Sequence, residues 1–175
     1  CSDEKPQLTE QDKAFQKKLM TQLISAKSGD VIELPAGKFN FNRSLTLTAD
    51  NVTIKGKGHK ETILSFKAQI QGAEGLMITG DNITLENFGI EDAVGDALKI
   101  NESENLIIRG IRTEWTNGPD VKNGAYGIYP VQCKNVLIEN SVAIAASDAG
   151  IYVGQSENIV VRNNKKSAIK IEIVD

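Results

Sequence analysis

The chain has 175 residues, 40% of them apolar, with 20 Lys and Arg against 23 Asp and Glu, a formal charge of −3. Neither sign is gathered into a block, so there is no electrostatic footprint for nucleic acid and no polybasic membrane patch, and the length fits one domain with its own core. No apolar run approaches the roughly 18 residues of a membrane-spanning helix. With only Cys1, Cys133 and His59 available, a disulfide framework, a zinc cluster, a multi-histidine metal site and a triad built on His59 in its turn-like run are all excluded, and no cofactor is implied.

The first residues, Cys1-Ser2-Asp3-Glu4-Lys5-Pro6-Gln7, resemble the start of a mature bacterial lipoprotein, in which a cysteine carries the lipid and a polar run follows it. That resemblance implies a lipid anchor on Cys1, a tether over residues 1–8 and a place in the bacterial cell envelope; Ser2 favours the outer membrane. A chain boundary that merely falls on a cysteine is the alternative. Residues 9–28 read as an N-terminal capping helix. Thr9 is its N-cap with Asp12 three places on, and Phe15, Leu19, Leu23 and Ala26 share one face. Ser28-Gly29-Asp30 ends it, and from there to residue 175 the apolar period is two.

One pattern then recurs five times: Asn, apolar, any, apolar, any, and a closing Asn or Gly. Its leading residues are Asn51, Asn82, Asn105, Asn135 and Asn158, spaced 31, 23, 30 and 23 apart. A second pattern, small, apolar, any, apolar, keeps step with it at Gly75, Ala97, Gly127, Gly150 and Ala168. A unit of about two dozen residues cannot bury its own apolar face, so it must stack on its neighbours, each coil about 4.8 Å above the last. The fold expected is all-β, a right-handed parallel β-helix over residues 29–175 behind the capping helix. Asn87, Asn140 and Asn163, closing their runs, read as left-handed turn residues and not as ligands. Lys55, Glu86, Arg109, Glu139 and Arg162 alternate in sign up one outward ladder. Cys133 aligns with Ser103 and Ser156 as a small turn residue. Asn163 to Ala168 is five residues where Asn140 to Gly150 is ten, so the last coil is expected to be short, without an evident cap, and continued by further chain or covered by a partner.

The segments Asn123-Gly124-Ala125-Tyr126-Gly127-Ile128-Tyr129-Pro130-Val131-Gln132-Cys133 and Ala146-Ser147-Asp148-Ala149-Gly150-Ile151-Tyr152-Val153-Gly154-Gln155-Ser156 resemble the bacterial parallel β-helix repeat lipoproteins of the pectate-lyase-like superfamily. That family has no assigned activity. Its members are similar to proteins encoded beside a dihaem c-type cytochrome, which implies an envelope redox partner, although no Cys-x-x-Cys-His haem site occurs here. In the superfamily, substrate lies along one parallel sheet flanked by long loops.

On the small-residue strand the outward positions are Met77, Lys99, Tyr129, Tyr152 and Lys170. Tyr129 and Tyr152 between Lys99 and Lys170 suit a sugar platform, and Trp115 lies on the one long loop, Gly110 to Gly127. A plain ladder of β-forming residues is the competing reading. For catalysis the candidates are Lys99, Arg112, Asp120 and Asp148, a base and a carboxylate-neutralising set for lyase chemistry. The paired Asp of polygalacturonases and the Asp-Pro-His of alginate epimerases are absent. Three functions stay open: a module binding a carbohydrate chain or a partner protein, a polysaccharide lyase or epimerase, and a passive scaffold whose outward apolar column Ile107, Leu137 and Val160 meets an electron-transfer partner.

Overall fold

The computed structural model describes residues 4–167 and 170–174; Cys1 lies outside them. A helix, α1 (Glu10–Ile24), precedes six coils of three strands each. The coils are β1 (Val31–Glu33), β2 (Gly37–Asn40) and β3 (Arg43–Leu47); β4 (Thr53–Lys55), β5 (Thr62–Ser65) and β6 (Gln71–Ile78); β7 (Ile83–Glu86), β8 (Gly89–Glu91) and β9 (Leu98–Asn101). They continue as β10 (Glu104–Arg109), β11 (Arg112–Glu114) and β12 (Tyr126–Val131); β13 (Lys134–Glu139), β14 (Val142–Ile144) and β15 (Ala149–Gly154); β16 (Glu157–Arg162), β17 (Lys165–Ser167) and β18 (Lys170–Val174). Every third strand pairs in parallel, which makes three six-stranded sheets: A begins at β1, B at β2 and C at β3. This is the right-handed parallel β-helix expected from the repeats.

Alternation along each strand sends one set of side chains into the bore. In sheet A, Leu106, Val136 and Ile159 align, as do Ile108, Ile138 and Val161. Ile128, Ile138 and Ile151 are fully buried, together with Pro130 and Val153. Val161 is only half-buried, since no described coil lies above it. The aromatic part of the bore sits in the early coils, where Phe41 and Phe66 stack at 5.4 Å.

Helix α1 closes the first coil. Thr9 and Asp12 form a reciprocal capping box, Leu19 and Leu23 are buried, and Phe15 stacks on Phe39 at 3.9 Å. Polar groups fix its position as well: Asp12 accepts from the Asn40 N–H at 3.1 Å, and Gln16 and Asn42 exchange two hydrogen bonds of 3.0 and 2.9 Å. Hydrogen bonds from Asn40 and Thr9 hold the Asp12 carboxyl below the usual range against the opposing effect of its partial burial. Ahead of the helix, Leu8 is buried and the Lys5 ammonium donates to the Gln69 carbonyl, so residues 5–8 lie against the coils.

The corners explain the repeat. Between sheets A and B the chain turns on one left-handed residue, Asn87, Gly110, Asn140 or Asn163, with φ from 50° to 62°. Gly56 differs: its φ is ordinary, and glycine is needed there because an added Cβ would stand 2.3 Å from the Asn87 carbonyl oxygen. The leading asparagines are also left-handed, with φ from 55° to 60°. Their side chains form a ladder, Asn158 to Asn135 to Asn105 to Asn82, through bonds of 3.0, 3.0 and 2.9 Å. On sheet A the charge ladder is also real, with Arg109 bound to Glu86 at 3.2 Å and to Glu139 at 2.7 Å, and Arg162 to Glu139 at 2.7 Å. In the neighbouring apolar column Ile107 and Leu137 are half-buried and Val160 is exposed.

The last coil departs from the expected register. Ile171, Glu172 and Ile173 pair with Ile151, Tyr152 and Val153, while Lys170 pairs with Ala149. Glu172, and not Lys170, is therefore the residue beside Tyr152. A slip of two residues preserves the alternation of Ile169, Ile171 and Ile173, so periodicity alone does not distinguish the two registers. The expected small residue Ala168 lies outside the described residues.

Ile138 sits in sheet A with no exposed surface and neighbours in register on both sides. Ile138→Ala should cost about 2 to 5 kcal/mol, measured by chemical unfolding of the full chain; an unchanged midpoint would place this side chain outside the core.

Candidate functional site

The small-residue motif of sheet C is where the chain enters the sheet after the corner from sheet B. At Gly127 an added Cβ would lie 2.4 Å from Thr113 Oγ1 and 2.5 Å from the Gly150 carbonyl; at Gly75 it would lie 2.7 Å from the Ala97 carbonyl. Only a very small residue lets the coils approach this closely. At this entry two successive residues are buried, Gly127 and Ile128, so the residue before them faces out and so does the one after. Tyr126 thus joins the surface that already carries Tyr129 and Tyr152.

The three tyrosines form one cluster. Tyr126 stacks on Tyr152 with centroids 4.5 Å apart and planes at 17°, Tyr129 is tilted against Tyr126 at 4.7 Å, and Tyr129 meets Tyr152 edge-on at 5.3 Å. Gly154 makes room for them, since a Cβ there would stand 3.0 Å from Tyr152 Cε1 and 3.5 Å from Tyr129 Cε2. All three rings remain half-exposed. One coil down, Lys99 places its ammonium 5.6 Å from the Tyr129 centroid and 3.9 Å from Glu74.

Carboxylates border the rings. Asp96 accepts the Tyr126 N–H at 3.1 Å, and burial pushes its carboxyl above the usual range, with Glu74 adding to that effect while the Tyr126 hydrogen bond and Lys99 oppose it. Asp148, at the entry to β15, donates its own N–H to the Ala125 carbonyl at 3.1 Å. Partial burial raises the Tyr126 phenol and Asp148 adds to it; burial and then Asp96 do the same for Tyr129. At the opposite edge of sheet C, where the chain turns into sheet A, a shallow cavity of about 640 Å³ is lined by Glu102, Glu104, Gln155 and Glu157 with Lys134. Cys133 lies at its base, buried, its thiol donating to the Val131 carbonyl at 3.3 Å and raised by burial, a small interior residue as its alignment implied.

Lys99, Tyr129 and Tyr152 are thus brought together as expected, with Tyr126, Asp96 and Glu74 added, and Asp148 adjoins them. Arg112 is elsewhere. It sits on sheet B, buried, with Glu91 at 2.8 Å, Glu114 also on its guanidinium and the His59 carbonyl accepting from Nε at 3.0 Å. Lys38 completes the group at 2.8 Å from Glu91. Burial, with Arg112 and Lys60 nearby, holds the His59 imidazole below the usual histidine range. Trp115 is interior too, 4% exposed, its indole N–H donated to the Ala93 carbonyl at 2.7 Å, which removes it from the ligand face. Asp120 is exposed on the loop and accepts the Lys122 N–H at 2.9 Å, the short-range bond of a turn. Among the described residues no group of three or more His, Cys, Asp or Glu is placed to hold a metal ion.

Residues 39–173 match the family model of the right handed beta helix region. The chain belongs to that family. Its fold is similar to the crystal structure of an alginate lyase from Paenibacillus sp. str. FPU-7, with a TM-score of 0.52 at 15% identity over 86% of this chain and 73% of that one. A pectin methylesterase variant in complex with a hexasaccharide is also similar, with a TM-score of 0.42 at 12% identity over 82% of this chain and 61% of that one. At 15% identity the likeness to the alginate lyase is one of fold. No curated protein gives a significant match.

The Arg112 group makes a stability prediction. Burial of Glu91 opposes its ionisation, but hydrogen bonds from Lys38 and Arg112 outweigh that and hold the carboxyl below the usual glutamate range. A lowered carboxyl stabilises fully above the ordinary glutamate value and loses that contribution as pH falls through the lowered one. Arg112→Met, which leaves Glu114 without its guanidinium, should therefore cost about 3 to 5 kcal/mol at neutral pH, and the gap from wild type should shrink in acid. Thermal melts from neutral to acid pH test this, and equal melting curves would remove the ion pair from the fold's energetics.

Proposed function

We propose that the outward face of sheet C binds a carbohydrate chain on the platform of Tyr126, Tyr129 and Tyr152. The observation that carries this reading is three tyrosine rings in mutual contact on a half-exposed sheet face. Aromatic faces pack on the C–H side of a sugar ring while phenols and charged neighbours hydrogen-bond its hydroxyls. None of the three rings is needed to fill the bore, so the aromatic area is available to a ligand. A fold shared with an alginate lyase, an enzyme that acts on a polysaccharide, supports the same ligand class by analogy. The face is a rigid parallel sheet, which suits binding an extended chain without rearrangement.

One observation favours a second reading, a polysaccharide lyase or epimerase. Asp96, shifted up by burial, stands within the electrostatic reach of Lys99 at the edge of the rings, an acid and a cation of the kind proton transfer requires.

Calorimetric titration of the full chain with a panel of oligosaccharides tests both. Changing Tyr129→Ala together with Tyr152→Ala should weaken binding by about a hundredfold, roughly tenfold or 1.4 kcal/mol per ring, with a small change in melting temperature. Product analysis separates the readings. Binding without cleavage or epimerisation supports the module, and turnover that disappears in Asp96→Asn or Lys99→Met supports the enzyme. Binding that survives loss of both rings would place the ligand on another face.

A further inference from the structure

We propose that the chain held on sheet C is an amino-glycan, a polymer whose sugars carry free ammonium groups, and not a uronate polymer. This rests on the reading of sheet C as a glycan platform and adds the charge of the ligand.

The rings lie between two acidic margins. Glu74, Asp96 and Asp148 stand along the edge toward sheet B, with Asp96 fixed by the Tyr126 N–H at 3.1 Å. At the edge toward sheet A lies the cavity of Glu102, Glu104 and Glu157, tempered by Lys134. Two residues separate the tyrosine column from that edge on each strand, about 7 Å, so a saccharide chain laid along the strands runs past the rings from one margin to the other. Within the column itself, Glu172 is in register beside Tyr152.

Positive groups are few. Lys99 lies over Tyr129 and is already paired with Glu74. On the neighbouring loop Asp120 and Lys122 offset each other. Six carboxylates, Glu74, Asp96, Asp148, Glu102, Glu104 and Glu157, against the ammonium groups of Lys99 and Lys134 give this face a formal charge of −4, whereas the whole chain carries −3. The negative charge is thus concentrated where the aromatic rings are. Lys99 occupies the cationic position over one ring and shows that this environment holds an ammonium group.

A uronate polymer would add one carboxylate per sugar to this field and meet repulsion at both margins. An amino-glycan reverses the sign. Its C–H faces pack on the tyrosines, its ammonium groups meet ring faces and carboxylates, and the field steers it toward the sheet.

The test is calorimetric titration of the full chain with three hexasaccharides of equal length: chitosan hexamer, chitin hexamer and oligogalacturonate. Each is measured at low salt and again at higher salt. Chitosan hexamer should bind about tenfold tighter than chitin hexamer at low salt, and salt should remove most of that difference. Asp96→Asn with Asp148→Asn should also narrow it; the amide introduced by Asp96→Asn keeps an oxygen for the Tyr126 N–H, so the fold should survive, as a melt would show. Oligogalacturonate binding as tight as chitosan would overturn the proposal. Chitin binding equal to chitosan would overturn it too, yet leave the glycan platform standing, and no binding of any hexamer would remove both. A lysine hexapeptide matching chitosan, with neither affected by loss of Tyr129 and Tyr152, would reduce the effect to bare charge and also overturn it.

Discussion

A coil of a β-helix cannot bury its own apolar face, and everything else in the structure depends on the parallel pairing that stacks one coil on the next. Pairing carries each residue to a fixed address about 4.8 Å above its counterpart. Inside, this aligns Ile108, Ile138 and Val161 into a continuous apolar column. Outside, the same translation aligns whatever the sequence places there. The Asn82 to Asn158 ladder, the Arg109–Glu139–Arg162 ladder and the Tyr129–Tyr152 pair arise from one geometric rule acting on three kinds of side chain.

Corners decide how faithfully that rule is kept. A single left-handed residue between sheets A and B costs little when it is Asn or Gly, and from the third coil on this corner keeps one length of two residues. Glu102, Gln132 and Gln155 accept the same left-handed conformation at the corner from sheet C, with φ of 53°, 53° and 47°. For those residue types the conformation is strained, and stacking on like turns in neighbouring coils over-determines it. The corner between sheets B and C is different. It holds loops of unequal length, and there the chain adds Trp115 to the core and Asp96 and Asp148 to the margin of the tyrosine face.

The solenoid is legible in the sequence because its signal is periodic: the leading asparagines, the apolar alternation and the small-residue strand repeat in fixed order, and each marks a structural position. The last coil is misread for the same reason. A period of two is blind to an even slip, so it assigns Lys170 the place that Glu172 holds. Tyr126 escapes a count of alternating positions because Gly127 and Ile128 are buried in succession, which breaks the parity at that point. Arg112 and Trp115 look like loop-borne ligand groups, yet charge and aromaticity do not reveal depth. Arg112 is covered by the Gly56–Glu61 turn, and Trp115 folds inward to the Ala93 carbonyl.

Burial separates what holds the molecule together from what is left to bind. The buried pair Arg112–Glu91 lies on sheet B, closed at the surface by the exposed Lys38, and the interior layers are apolar, so each is committed to the fold. On sheet C the rings touch one another and the solvent and fill no part of the bore. Mutual stacking orders them before any ligand arrives, which lowers the side-chain entropy lost on binding. Gly154 keeps space beside the rings, and Lys99 with Glu74 and Asp96 gives the ring edge a fixed electrostatic pattern. A surface ladder of ordinary β-forming residues would need neither the glycine nor the carboxylate margins. The combination of preordered aromatic area with segregated charge carries the proposal that sheet C is the binding face, while Arg109, Glu86, Glu139 and Arg162 on sheet A and Arg112, Glu91, Glu114 and Lys38 on sheet B are paired within their own sheets.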